Sequence, residues 1–396
     1  MTDRNAAEID VDAIRRWLMD APHHEDDGTA FLDELARRLV ASGLPLSRVS
    51  YALMTKHPEV LWRTIQWRAG EHTLVRDQPH ARLDDAFYTQ SPVAVVRRDG
   101  RPIRVRLGDG APTFPIAEDL RREGGTDYYV HGLPFVNGQI SYVSYATRAE
   151  AGFTDEVLGA LEAIRPFLAR RLELESAYYA TRALLDVYLG RNAARRVFAG
   201  AFQRGRGELI DAAIWFSDMR DFTALSDRSS PARVVEVLDA YFDAVASAIA
   251  ARGGEVLKFI GDAVMAIFPL GDDAPRACRQ ALGAAEDAFA SLARLNDARA
   301  TREEEPIHIG VGLHRGQVMY GNIGARDRLD FTVISSFVNE ASRLESLSKR
   351  LDTPLALSES FAASIDADDV IDLGEHELKG VKAPLRVFTL ARLRGG

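Results

Sequence analysis

The feature that most constrains this chain is a pair of aspartates, each placed where an apolar strand pattern stops. Asp218 ends the run Ala213-Ile214-Trp215-Phe216-Ser217, and Asp262 sits at a Gly261-Asp262 turn between the apolar runs 256–260 and 263–268. A strand buries its body and exposes its end, so a carboxylate there faces solvent from a rigid base. Two such carboxylates on neighbouring strands can share one or two hard cations. All-oxygen ligation of that kind suits Mg²⁺ or Mn²⁺ with a phosphate substrate. Turn formation or helix capping accounts for either aspartate singly and poorly for both.

The stretch around them reads as strand 211–218, helix 231–252, hairpin 255–268, helix 274–299, strand 306–314 and a hairpin partner at 317–323. The first of these helices opens at Ser230-Pro231, a cap followed by proline, and stops at Gly253-Gly254. This βαββαβ order is the ferredoxin-like plan. Because that plan hosts many functions, the site must carry the functional argument.

With 396 residues, two domains are expected. Upstream of the paired aspartates the sequence predicts helix over 12–43, ended by Ala41-Ser42-Gly43, then strands over 48–54, 60–67, 94–97 and 103–107. Strands 127–135 and 139–147 flank Val136-Asn137-Gly138, a hairpin signal, and a helix follows from Asp155 to Leu172. The whole is an α+β chain: a regulatory domain over 1–154, a helical segment over 155–206, and a catalytic domain over 207–396. In the helical segment Leu161, Ile164, Leu168 and Leu172 recur at spacings of three and four. Such a stripe pairs two copies in a parallel dimer or packs on its own domain, and Pro166 interrupts it as a continuous coil. Gln203-Arg204-Gly205-Arg206-Gly207 breaks the helix.

A net charge of −9 argues against broad electrostatic binding to nucleic acid or to an anionic membrane. The single cysteine, Cys278, excludes an internal disulfide framework and reads as a small buried hydrophobe. The N-terminus lacks the basic-then-apolar layout of a signal peptide, and no run of 18 apolar residues occurs. A soluble cytoplasmic protein is the expectation. His57, His72, His80 and His131 are candidates for haem or metal, although scattered histidines are more often ordinary surface or core residues. Trp62, Trp67, Tyr128 and Tyr129 either line a pocket or belong to the core, the commoner outcome.

Six motifs occur in order between residues 208 and 392. They are Trp215-Phe216-Ser217-Asp218-Met219-Arg220-Asp221-Phe222-Thr223, then Lys258-Phe259-Ile260-Gly261-Asp262-Ala263, then Gly310-Val311-Gly312-Leu313-His314-Arg315-Gly316. Gly321-Asn322-Ile323-Gly324, Asp330-Phe331-Thr332-Val333-Ile334 and Val338-Asn339-Glu340-Ala341-Ser342-Arg343-Leu344-Glu345 complete the set. The region resembles the catalytic domain of class III nucleotidyl cyclases. The resemblance implies attack of a ribose 3′-oxygen on the α-phosphorus of a nucleoside triphosphate, with pyrophosphate leaving. Two metals, Mg²⁺ or Mn²⁺, are implied at Asp218, Asp262 and the Met219 carbonyl.

Residue by residue, the resemblance implies that Phe222 and Thr223 open a loop whose N–H groups hold the β- and γ-phosphates. Arg328 and Lys379 resemble further triphosphate contacts, with Arg326 and Lys382 as neighbours able to serve instead. Asn339 and Arg343, four apart on a helix face, would orient the ribose and stabilise charge on the α-phosphate. Lys258 would donate to adenine N1, and the Thr332 hydroxyl would accept from the 6-amino group. Guanylyl cyclases of the family usually carry an acid where Lys258 stands; threonine at 332 marks a subgroup of adenylyl cyclases. The resemblance also implies a symmetric homodimer, Asp218 and Asp262 of one copy meeting Lys258, Thr332, Asn339 and Arg343 of the other. Two departures are visible: Asp221 stands where the family often has glycine, and Ser335-Ser336 where it has a Gly-Asp or Gly-Asn pair. Ser336 is the expected cap of the following helix. Asp127 to Leu174, with its hairpin and Gly152-Phe153-Thr154, resembles the end of a GAF- or PAS-type sensory domain. The implied whole is an ATP-using adenylyl cyclase regulated by an unidentified signal at its N-terminal domain. A guanylyl cyclase and a catalytically silent cyclase fold serving as a signalling or binding module are the alternatives.

Overall fold

The structure is a computed structural model that describes residues 9–23, 28–80, 86–108, 114–381 and 383–393. Lys382 therefore lies outside the described residues. The chain divides into two compact units, Met1–Val187 and Tyr188–Gly396. The division falls inside the segment expected to link the two domains.

In the first unit, helices α1 (Val11–Asp20) and α2 (Thr29–Ala41) precede strands β1 (Arg48–Met54), β2 (Val60–Arg68) and β3 (Leu74–Pro79). Helices α3 (Ala86–Thr89) and α4 (Pro92–Asp99), strand β4 (Ile103–Arg106) and helix α5 (Pro115–Arg122) follow. Strands β5 (Asp127–Pro134) and β6 (Ile140–Thr147) then lead into α6 (Asp155–Leu189). The six strands form one antiparallel sheet in the order β3-β2-β1-β6-β5-β4. Alternation along the strands gives the sheet two faces. Val49, Tyr51, Ile65, Tyr129, Val143 and Tyr145 point into one core with Leu32 and Leu35 of α2 and Leu161, Ile164, Leu168 and Leu172 of α6. The leucine stripe of α6 is thus spent on its own domain through that stretch. The helix continues past Pro166 to Leu189. The Gly152-Phe153-Thr154 corner is fastened by the buried Asp127 carboxylate, which accepts from the Phe153 N–H at 3.0 Å and from Arg104.

Two sequence expectations fail here. Residues 94–97 are not a strand but part of α4, because Ser91 caps the helix, Pro92 fills its first turn and Gly100 ends it in the left-handed region at φ 69°. Those stop and start signals outweigh a short apolar run. The expected helix over 12–43 is described as two helices.

The second unit contains α7 (Arg191–Phe198), β7 (Gly207–Met219), α8 (Phe222–Arg228), α9 (Pro231–Ala251), β8 (Glu255–Ile260), β9 (Ala263–Pro269) and α10 (Ala274–Ala300). It continues with β10 (Ile309–Gly324), β11 (Leu329–Ile334), α11 (Ser336–Arg350), β12 (Leu355–Ser358), α12 (Glu359–Ala362), β13 (Val370–His376) and β14 (Leu385–Leu390). The sheet order is β13-β14-β12-β10-β7-β9-β8, with β11 paired to β10. Its inner part, β10-β7-β9-β8, is the ferredoxin-like arrangement. The central strands are apolar on both faces, as a sheet covered by helices on each side requires. Ala213, Trp215, Val264, Ala266 and Phe268 pack under α9 and α10 together with the buried Cys278. Ala212, Ile214, Met265 and Ile267 pack against Ala193 of α7 and Ala341 of α11.

The hairpin expected between 306–314 and 317–323 is instead one sixteen-residue strand, paired with β7 from Ile309↔Met219 to Gly321↔Gly207. Gly316 does not turn the chain. A side chain there would collide with the Phe337 ring. Gly312 has a parallel role: a Cβ would lie 2.5 Å from the Ala341 carbonyl oxygen and 2.6 Å from the Glu345 nitrogen. Helix α11 therefore rests on strand backbone. No described helix is long and apolar enough to cross a membrane.

Gly312→Ala forces α11 off β10, and helix backbone cannot give way as a flexible side chain can. We expect a loss of about 1–3 kcal/mol in unfolding free energy, measured by urea denaturation of the full chain.

Candidate active site

The core of the site is the Asp218–Asp262 pair. Asp218 lies at the end of β7, beside Gly310 of β10, where it is half-buried. Asp262 follows Gly261, whose φ of 64° makes the tight β8–β9 turn. The two carboxyl groups are within hydrogen-bonding distance, and Asp218 Oδ1 is buried without a hydrogen-bond partner among the described residues. Burial first, then the hydrogen bond and charge of Asp262, then the charge of Glu345, push the Asp218 carboxyl up to about 7. Two adjacent carboxylates cannot both ionise cheaply unless a proton or a cation lies between them. Asp218, Asp262 and the adjoining Met219 carbonyl are all hard oxygen donors, so this set fits Mg²⁺ or Mn²⁺. Among the described residues no cluster of three or more His, Cys, Asp or Glu could hold a metal, so His57, His72, His80 and His131 do not converge on one.

Beneath the aspartates lies a buried ion pair absent from the sequence reading. Arg220 donates to Glu345 at 3.1 Å and to the Ser348 hydroxyl. Gly310 makes room for both groups, since a Cβ there would strike the Arg220 guanidinium and Glu345. The sequence signal was only that Arg220 and Glu345 each lie within a motif.

Asp221 adopts φ 57°, in the left-handed region where glycine is the usual occupant, and aspartate is among the few residues that tolerate it. Its side chain is exposed and pairs with Lys349 at 2.9 Å. Its charge is thus compensated. Ser335 raises no backbone problem, because its φ of −170° is extended. Ser335, not Ser336, caps α11, accepting from the Phe337 N–H at 3.1 Å.

Lys258 and Thr332 come together through a third residue. Lys258 Nζ lies 2.5 Å from Asp330 Oδ2. Asp330 and Thr332 alternate on one face of β11, and Thr332 is buried. Asp330 had been given no role; its two-residue spacing from Thr332 was the available signal. Phe222 and Thr223 begin α8, with Phe222 packed partly on the core. Arg326 and Arg328 are exposed in the β10–β11 turn, and Lys379 is exposed between β13 and β14.

Asn339 and Arg343 are exposed on α11, about half a helical turn from Ala341 and Glu345, which face β10. Among the described contacts none joins either residue to the aspartates within the chain. One chain thus assembles the aspartate pair and the Lys258–Asp330–Thr332 group, while leaving Asn339 and Arg343 facing outward.

The raised Asp218 pKa has a definite sign in stability. The folded state keeps a proton that the unfolded state releases at ordinary carboxylate pH. That contribution is therefore complete at low pH and is lost as pH rises through about 7. In EDTA the Tm should fall more steeply from pH 5.5 to pH 8 in the wild type than in Asp262→Asn. Mn²⁺ at pH 8 should raise the wild-type Tm and do so less in the variant. Equal Tm profiles, or no response to Mn²⁺, would refute the paired-carboxylate site.

Residues 208–392 match the adenylate and guanylate cyclase catalytic domain family. The chain is 35% identical over 164 residues to an adenylate cyclase of Anabaena cylindrica, covering 40% of this chain and 32% of that protein. It is 34% identical over 178 residues to adenylate cyclase 1 of Rhizobium meliloti (strain 1021), covering 44% and 26%. The chain thus spans a third or less of the length of these relatives. Beyond the catalytic domain, a bacterial light-regulated adenylyl cyclase resembles it in fold, with a TM-score of 0.50 and 22% identity over 70% of this chain and 88% of that one. With its ordered motifs on a ferredoxin-like sheet and its paired aspartates at the strand ends, the C-terminal domain of this chain belongs to the class III nucleotidyl cyclases.

Proposed function

We propose that the chain is an adenylyl cyclase that converts ATP to 3′,5′-cyclic AMP and pyrophosphate in sites shared between two copies of itself. The observation that carries this reading is the half-buried Asp218 carboxylate, unpartnered at Oδ1 and pressed against Asp262. Asp218, Asp262 and the Met219 carbonyl would hold a divalent cation, whose positive charge would acidify the attacking hydroxyl and neutralise the triphosphate. The protein groups do the remainder. The N–H groups at Phe222 and Thr223 receive phosphate oxygens, and Arg328 and Lys379 extend from their turns toward the same charge. Lys258 donates to adenine N1 while Thr332 accepts from the 6-amino group. Asn339 orients the ribose, and Arg343 meets charge developing on the α-phosphate. The outward position of Asn339 and Arg343 supports completion of each site by a second copy.

One observation favours a second reading. Asp330 puts a carboxylate beside Lys258, and a carboxylate can accept from the N1–H and 2-amino groups of guanine. GTP is therefore the competing substrate.

The test is product formation by the purified full chain with Mn²⁺ and either ATP or GTP. Cyclic AMP is expected from ATP, with activity falling by about 10²-fold or more in Asp262→Ala. Arg343→Ala should lower kcat by about 10²–10³-fold with a smaller change in KM. Cyclic GMP as the main product, abolished by Asp330→Asn, would establish the second reading. Absence of both products would leave the silent cyclase fold. The N-terminal domain, on this proposal, acts on the catalytic domain through residues 155–206. Equal specific activities with and without residues 1–175 would rule that out.

A further inference from the structure

The two faces of the N-terminal sheet differ: one is apolar, and the other mixes an apolar cluster with polar side chains. Val49, Tyr51 and Leu53 of β1, Ile65 and Trp67 of β2, and Val143 and Tyr145 of β6 belong to the apolar core already described. On the other face Ala52, Trp62, Tyr128, Val130, Tyr142 and Ala146 pack with Val96 of α4 and Ala117 and Leu120 of α5. Beside this cluster stand Arg48, Ser50, Thr64, Gln66, Arg68 and Ser144, of which Ser50, Gln66 and Ser144 are more than nine-tenths buried. This polar part of the face is not packed by protein. It lines a cavity of about 870 Å³ whose other walls include residues of α4 and α5. Buried polar side chains that border a cavity rather than packed protein mark a ligand site. Of the four aromatic residues open between pocket and core, Trp62 and Tyr128 line this cavity, whereas Trp67 and Tyr129 pack on the opposite face.

The unpartnered atoms of the cavity wall are all donors. Gln66 accepts from Arg48 Nη2 at 2.7 Å through Oε1, which leaves its buried Nε2 without a hydrogen-bond partner. Arg48 Nε and Arg68 Nε are buried and unpartnered as well. The acids in the wall are already engaged: Asp77 with Arg63 at 2.7 Å, Glu123 with Arg68 at 2.8 Å, and Asp119 with Arg122. Among the described residues Arg48 and Arg76 have no carboxylate partner, and both line the cavity. Burial works against the Arg48 charge, and Arg68 across the strand pair adds to that penalty. A wall of orphaned N–H groups beside an uncompensated guanidinium calls for an oxyanion. Next to it, Trp62 and Tyr88 meet at 4.9 Å between ring centroids, and Tyr128 and Tyr142 add two more aromatic faces. These offer stacking surfaces for a planar ring.

We propose that this cavity binds a small organic anion, a carboxylate, sulfonate or phosphate group carried on a flat aromatic ring system. The oxyanion sits against Arg48 and Gln66, and the ring lies among Trp62, Tyr88, Tyr128 and Tyr142. The cavity is within the size range of sites for small organic ligands and far larger than a bare inorganic anion fills.

The experiment titrates the full chain with 1-naphthoate, its neutral amide 1-naphthamide, and inorganic phosphate, followed by tryptophan fluorescence and calorimetry. Saturable binding of one 1-naphthoate per chain is expected, weaker by about tenfold or more for the amide and for phosphate. Arg48→Met and Gln66→Leu should each weaken 1-naphthoate by about tenfold, and Arg48→Lys by less. Circular dichroism and an intact Mn²⁺-induced rise in Tm verify that the variants are folded. If Arg48→Met does not fold, Gln66→Leu alone carries the test. Equal binding of acid and amide, phosphate binding as tight as 1-naphthoate, affinity unchanged in the folded variants, or no saturable binding of 1-naphthoate would each overturn the proposal.

Discussion

The catalytic domain depends on one close approach, the seating of α11 on the backbone of β10. Three glycines of that strand permit it. Gly312 admits the helix backbone, Gly316 the Phe337 ring, and Gly310 the Arg220–Glu345 ion pair. Helix α11 carries Asn339 and Arg343, so the depth of this contact sets where they stand. The same contact puts Glu345 close enough to Asp218 to raise its pKa. Packing and electrostatics of the site are thus one constraint. A longer side chain on the strand would shift both.

The site holds like charges together and leaves them uncompensated by protein. Asp218 at the end of β7 lies against Asp262 of the β8–β9 turn with Glu345 nearby, and among the described residues only Glu345 of the three has an arginine in ion-pair contact. Such an arrangement costs stability in the absence of a cation, which is the behaviour expected of residues kept for binding rather than folding. Nearby charges are handled differently. Asp221 is paired with Lys349, and Lys258 with Asp330. The contrast separates the Asp218–Asp262 pair, the candidate metal ligands, from carboxylates that have an internal partner.

Much of the catalytic domain was legible in the sequence because its signals are local. Ser230-Pro231 and Gly253-Gly254 bound α9, and Gly261-Asp262 makes the β8–β9 turn, as expected. The errors arose where a local signal has two physical meanings. Gly316 reads as a turn, yet it is a cavity for Phe337 in an unbroken strand. Ala94 to Arg97 read as a strand, yet the cap at Ser91 and the stop at Gly100 make them helix. Leu161 to Leu172 read equally as a dimer seam or an intradomain face, and burial against β1 and β6 decides for the latter.

The sequence by itself pointed to the βαββαβ core of the catalytic domain through local cap, turn and periodicity signals. The candidate metal, base and transition-state residues came from the resemblance of its ordered motifs to the class III cyclases. Only the tertiary structure decided which partners those residues find across it: Asp330 for Lys258, Glu345 for Arg220, Lys349 for Asp221. It also revealed that buried polar side chains on one face of the N-terminal sheet border a cavity. Alternation in the strands shows that two faces exist. Whether a polar face meets water or a lid depends on long-range packing of α4 and α5, which strand periodicity does not encode.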